Sequence, residues 1–221
     1  MGKYFSLETA FDTPETGSAY PAVESYKNYN FNASNSVNNL DTNTIPGFTP
    51  SVRFKLARKA KLTDVLKQIT ISARGLLVSK KFKDYLTRKN IIPHVCFPAT
   101  IEDIDSIIHN YYWIHFTWEE SIKYLDFENS KFKIKRVSRD LGEINIKNYK
   151  DLVLKQSELG FIKMIHNYET TMINPGYDLF LHPLNGTIYI SEELKNQMTS
   201  LKFSGISIKE INNLKVVESE V

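Results

Sequence analysis

A chain of 221 residues, 42% hydrophobic and 24% charged, has the composition of a soluble globular protein with room for one sizeable domain or two small ones. Its net charge is only +3, and no window reaches the apolar length that a membrane-spanning helix needs. The single cysteine, Cys96, rules out an internal disulfide, and its place in the run His94-Val95-Cys96-Phe97 suits a buried small hydrophobe better than a nucleophile.

Between Met1 and Tyr20, Lys3, Glu8, Asp12, Pro14 and Glu15 break up any signal-peptide core, so a reducing cytoplasm is the expected compartment. Met1 to Ser6 formally matches a myristoylation pattern, but Tyr4 and Phe5 suit a first strand, which Tyr4 to Phe11 is expected to form. From Asp12 to Pro50 the chain is rich in Asn, Ser, Thr and Tyr and poor in charge. A loop of that length is either disordered or laid across the surface, and Tyr20, Tyr26, Tyr29, Phe31 and Phe48 favour the second.

Val52, Phe54 and Leu56 alternate with Arg53 and Lys55, which predicts a half-buried strand. Asn110 to Trp118 carries aromatic and β-branched residues on both faces and reads as a central strand covered on both sides. Further strands are expected at Ile122–Phe127 and Phe132–Val137, with a turn at Leu141-Gly142-Glu143. A helix is expected from Tyr149 to Ile165, with Leu152, Val153, Leu159 and Ile162 on its apolar side. Asn174-Pro175-Gly176 marks a turn before a strand at Tyr177–Leu181, and Asn185-Gly186 marks a tight hairpin. The acidic tail from Val216 to Val221 is expected to fray.

Two stretches share one pattern. Val78-Ser79-Lys80-Lys81-Phe82-Lys83-Asp84-Tyr85-Leu86-Thr87 recurs as Ile190-Ser191-Glu192-Glu193-Leu194-Lys195-Asn196-Gln197-Met198-Thr199. Ser79 and Ser191 suit helix N-caps, while Phe82 with Leu86, and Leu194 with Met198, stand four apart on one helix face. With apolar runs before and after, each copy reads as strand–helix–strand, in units spanning 69–97 and 177–208. Two such units imply a pseudo-duplicated single domain, not a solenoid. The expected fold class is α+β: a mixed sheet flanked by helices.

Residues that could carry chemistry form no recognisable set. His94, His109, His115, His166 and His182 lack metal-ligand spacing, and no phosphate-binding glycine loop or nucleophile elbow is present. Glu102, Asp103, Asp105 and the pair Glu119-Glu120 imitate an acid–base set but suit solvated loops better. No enzyme activity, metal, cofactor or membrane contact is expected.

Charge is unevenly spread. Residues 51–90 carry twelve basic and two acidic side chains, a net +10, which leaves −7 for the rest. Such polarity can steer an oppositely charged partner. The same lysines could instead merely solvate a helix and loop, or bind nucleic acid, although no recognised binding module accompanies them.

The two serine units, the opening Lys3-Tyr4-Phe5-Ser6-Leu7, the stretch Lys59 to Leu66, the segment Tyr124 to Ser130 and the closing Lys202 to Ile208 occur in an order that resembles a bacterial family. It is the family of immunity proteins encoded beside polymorphic or type VI secreted toxins, with a domain first catalogued as one of unknown function. The resemblance spans most of the chain, except that the Asn-rich stretch before Pro50 and the segment Met164–Asn174 are longer than the family pattern. It implies a cytoplasmic antitoxin that binds and occludes a cognate toxin, and it supplies no catalytic motif. Arg58, Lys59, Lys61, Lys80 and Lys81 are then the candidate steering charges, and Tyr26, Tyr29, Tyr111, Trp113 and Trp118 the candidate anchors, with core packing as the alternative for each anchor. A nucleic-acid-binding or regulatory module using residues 51–90 is the alternative function.

Overall fold

In the computed structural model, which describes residues 3–42, 44–117 and 119–218, strands predominate. The first, β1 (Tyr4–Thr9), turns Phe5 and Leu7 inward. A short β2 (Val23–Ser25) lies inside the polar tract, and β3 (Val52–Leu56) buries Val52 and Phe54 while exposing Arg53 and Lys55, as its alternation predicts. The hairpin of β4 (Val65–Leu66) and β5 (Gly75–Ser79) runs into α1 (Lys80–Leu86), capped by Ser79, whose hydroxyl accepts from the Phe82 amide at 3.2 Å. The long pair β6 (His94–Glu102) and β7 (Ile108–Phe116) is followed by one helical turn, α2 (Glu119–Ile122).

Next come β8 (Lys131–Arg136), β9 (Arg139–Ile144), α3 (Tyr149–Leu159) and β10 (Met164–Ile173). β11 (Leu179–Leu181) and β12 (Ile188–Ser191) form a second hairpin, turned at Gly186 with φ +72°. It leads into α4 (Glu192–Ser200), capped by Ser191, which accepts from the Leu194 amide at 3.2 Å. β13 (Ile206–Glu210) and β14 (Leu214–Val217) end the chain.

The strands assemble into three sheets, ordered β2-β3-β6-β7-β5-β4, β11-β12-β1-β13 and β14-β10-β8-β9. Parallel pairs (β3 with β6, β10 with β14) stand among antiparallel ones, so the fold is α+β with mixed sheets, as expected, but there are three sheets and not one, and strand outweighs helix.

One core unites Leu76, Val78, Ile114 and Phe116 of the six-stranded sheet with Phe5, Leu7, Ile188 and Ile190 of the second sheet and with Phe82, Leu86, Leu194 and Met198 of α1 and α4. A second core covers the other face of the six-stranded sheet, where Leu77, Phe97, Ile101 and Trp113 meet Val23, Val37 and Leu40 of the polar tract. That tract is therefore laid over the sheet. Tyr29 and Phe48 help to seal it, but aliphatic residues do most of the sealing, and Tyr20 and Phe31 remain exposed.

The two hairpin–helix segments share more than their capping serines. Asp64, just before β4, accepts from the Ser79 hydroxyl at 2.7 Å, and its carbonyl accepts from the Ser79 amide at 2.8 Å. Asp178, just before β11, accepts from the Ser191 hydroxyl at 3.3 Å, and its carbonyl accepts from the Ser191 amide at 2.8 Å. Each aspartate also reaches the loop that leaves the other segment's helix. The Ser204 amide donates to Asp64 at 3.0 Å and the Asn90 amide to Asp178 at 3.3 Å, a reciprocal clasp. Gly205 (φ +75°) packs so tightly here that a Cβ would stand 2.1 Å from the Val65 carbonyl oxygen.

Four local expectations fail. Residues 122–127 form the end of α2 and a turn instead of a strand, because the Asp126 and Ile173 amides bond across to Thr171 and Tyr124 and fix an irregular path. Leu141-Gly142-Glu143 lies within β9, and the reversal comes earlier, where Val137 takes φ +55°. The helix from Tyr149 stops at Leu159 because Gly160 (φ +69°) ends it, and the chain re-enters as β10. In the tail, Val216 and Val217 are paired in β14, while residues 219–221 lie outside the described residues.

Candidate functional site

The basic block is exposed at Arg58, Lys59, Lys61, Lys80 and Lys81. Asp64 ties its two parts together, standing three residues after Lys61 and 3.8 Å from the Lys81 ammonium. Lys80 and Lys83 both pair with Asp84, holding its carboxyl down to about 2, and Lys55 pairs with Glu102 at 2.9 Å. The +10 already counts Asp64 and Asp84, so of these partners only Glu102, outside the block, offsets it further, and Arg58 and Lys59 stay exposed.

The aromatic candidates separate. Trp113 is 0% exposed and Tyr111 7%, both inside the core under the polar tract, so neither can touch a partner. The Tyr111 hydroxyl donates to the Thr63 carbonyl at 2.8 Å, and burial pushes its pKa up to about 12. Tyr29 is also structural: its hydroxyl donates to the Ser51 carbonyl and accepts from the Val37 amide, both at 2.9 Å. Trp118 lies outside the described residues.

Tyr26 alone meets the charge. The pairing of β2 with β3 sets it beside Arg53 and Lys55, whose cationic groups stand 5.3 and 5.1 Å from its ring centroid. Its hydroxyl donates to Glu102 at 2.7 Å.

A second surface escaped sequence reading. α3 buries none of its residues. Between it and β10 opens a groove of about 900 Å³, lined by Phe132, Leu152, Val153, Phe161, Met164 and Ile165 among others. Val153, Leu154, Ile162 and Met164 are largely exposed, and Phe161 is fully so. Contiguous exposed apolar side chains of this kind mark interaction surfaces.

The groove floor is polar and fixed. His182 is buried, its Nδ1 accepts from the Leu184 and Asn185 amides at 3.1 and 3.2 Å, and its Nε2–H donates to Thr170 Oγ1 at 2.9 Å. Gln156 braces the wall by accepting from the Ile165 amide at 2.8 Å and donating to the Lys163 carbonyl at 2.9 Å. The sequence did hold a signal. Leu152-Val153-Leu154 are adjacent on a helix and spread around it, so they cannot all face one core.

Other groups have structural settings. Burial raises the half-buried Cys96 thiol above its usual pKa, which makes it a weak nucleophile. His115 is buried and donates to the Thr44 carbonyl at 3.1 Å. Asp103 organises its own turn, accepting from the Ile107 amide at 2.9 Å and pairing with His109 at 2.7 Å. Among the described residues no group of three or more His, Cys, Asp or Glu side chains is placed to hold a metal ion. Among them, too, no helix is long and apolar enough to cross a membrane. No known family model matches the chain, and no curated protein matches it.

Proposed function

We propose that this protein is a cytoplasmic immunity protein that neutralises a cognate toxin by covering it, with no turnover of its own. The observation that carries the proposal is the open groove along α3, where the fold leaves Phe161, Ile162 and Met164 uncovered beside Val153 and Leu154. Apolar side chains held on a braced scaffold supply the anchors that protein interfaces use. The test is co-expression with the product of the neighbouring reading frame. Rescue of growth and a co-purifying pair support the proposal, and a toxic neighbour left active despite well-folded immunity protein refutes it.

Two variants follow from this reading. Phe161→Ala is expected to leave unfolding free energy within about 0.5 kcal/mol, because the ring touches little of the fold. In isothermal titration it should weaken capture of that partner about 30-fold. Neutralising Arg58, Lys59, Lys61, Lys80 and Lys81 together should slow association and flatten its salt dependence, as measured by stopped flow across a salt series. Association kinetics that do not change would remove the steering role.

The nucleic-acid alternative gains from one feature. Aromatic rings lie beneath several lysines of the block, with Lys83 4.6 Å from the Tyr112 centroid and Lys89 5.1 Å from that of Tyr85. Binding of an oligonucleotide that weakens steeply with salt in a shift assay would favour it over the toxin reading.

We also read the two hairpin–helix segments as copies of one unit. The matched aspartate–serine bonds, and the equivalent strand orders β4-β5-β7-β6 and β11-β12-β1-β13, support a duplication in which the central strand comes from different ends of the unit.

A further inference from the structure

Beside Tyr26 the polar tract and β3 enclose a cleft of about 300 Å³, lined by Tyr26, Asn28, Asn30, Asn35, Ser51 and Arg53 among others. Its walls are fixed. The Tyr29 amide donates to the Tyr26 carbonyl at 3.0 Å, the Ser51 amide to the Asn35 carbonyl at 2.8 Å, and the Tyr29 hydroxyl to the Ser51 carbonyl at 2.9 Å. Glu102 already engages Lys55 and the Tyr26 hydroxyl, whereas Arg53, among the described residues, forms no ion pair. The guanidinium carbon stands 5.3 Å from the Tyr26 ring centroid, and a guanidinium without a paired carboxylate has N–H donors to offer in a two-pronged bond to one.

We infer that this cleft receives a carboxylate side chain from an acidic segment of a protein partner, gripped by Arg53 and by the side-chain amides of Asn28 and Asn35. Arg53 and Lys55 engage the Tyr26 ring, which removes the platform a nucleobase would need. Apolar neighbours argue for a polypeptide over a small free anion. Ile108 stands directly across from Glu102, on the strand face that carries Lys55, and Ile104 and Ile107 of the adjoining turn are exposed. Asp103 holds that turn rigid through the Asp105 and Ile107 amides. A cationic slot beside fixed isoleucines matches a chain of mixed acidic and apolar residues. The inference goes beyond the toxin reading, since it holds for any protein partner.

The test measures fluorescence anisotropy of labelled poly-glutamate with the full-length protein, and a labelled oligothymidylate serves as the second probe. Poly-glutamate is expected to bind. Arg53→Ala should weaken it about tenfold or more, Arg53→Lys should restore only part of that, and Asn35→Ala should weaken it less. Lys150→Ala, the same charge change on α3, should leave it unaltered. Arg53 and Asn35 are both exposed, so melting curves are expected to stay at the wild-type position. The inference is overturned by an equal loss in Lys150→Ala, by tighter binding of oligothymidylate, or by no poly-glutamate binding at all. Failure here leaves rescue by co-expression untouched, and failed rescue leaves this result standing.

Discussion

Asp64→Ala is expected to lower the unfolding free energy by about 3 kcal/mol or more. One carboxylate there accepts from the Ser79 hydroxyl at 2.7 Å, the Ser204 amide at 3.0 Å and the Ser204 hydroxyl at 3.1 Å, joining parts of the chain 140 residues apart. Bonds to a charged acceptor contribute about 1.5–3 kcal/mol each, and the Ser204 amide would lose its partner in the variant. The exposed Lys81 adds little, because such pairs are worth about 0–1 kcal/mol. Asp178→Ala should cost less, since its bonds from the Ser191 hydroxyl and the Asn90 amide are both 3.3 Å long. Urea denaturation with an unchanged m-value reads both effects. An Asp64→Ala loss under about 1 kcal/mol, in the range of an ordinary surface change, would show that the clasp is not a source of stability.

Acidification is expected to destabilise the fold well before the carboxylates titrate. Burial, with a smaller contribution from Arg74, pushes the His182 pKa down to about 4, and two backbone amides already point at its Nδ1. The unfolded chain takes up this proton near pH 6.5, while the folded chain resists it until about pH 4. The contribution is therefore fully present above pH 6.5 and is lost as pH falls towards 4, reaching about 3 kcal/mol. Burial lowers the His115 pKa as well, so both histidines act in the same direction. Melting temperatures across this range should fall, and His182→Gln should flatten the slope whatever it does to stability at neutral pH. A wild-type curve level from pH 7 to 4.5 would refute the assignment. Because His182 floors the groove, its protonation is also expected to disturb partner binding there.

What the sequence revealed was mostly local. Serine followed by a helix-period pair suffices for the caps at Ser79 and Ser191, and strict alternation suffices for Val52 to Leu56, because each depends on neighbours within a few residues. The clasp had no such signal, since Asp64 and Ser204 meet only through the tertiary fold. Trp113 shows the same limit. Alternation sorts a strand's side chains between two faces but does not say what covers each, and here the polar tract helps to bury the face that carries Trp113. At the candidate sites, the charge of residues 51–90 was visible, but the placement of Tyr26 against Arg53 depended on the β2–β3 register. The groove was hidden by extending α3 through Phe161 to Ile165 and giving Val153 and Ile162 to an apolar side that covers no core.

The pairing of Tyr4 with Ser191 and of Phe5 with Glu210 has a consequence for synthesis. Strand β1 waits until its partners β12 and β13, about 180 to 200 residues further along, have been read. At about 5–20 residues per second that delay is on the order of 10–40 s. Throughout it Phe5 and Leu7 have no sheet to enter, and the nascent polypeptide depends on chaperones or on transient collapse. On the proposed antitoxin reading, an incomplete copy would give a cell no protection, so a stock of finished molecules would have to precede exposure.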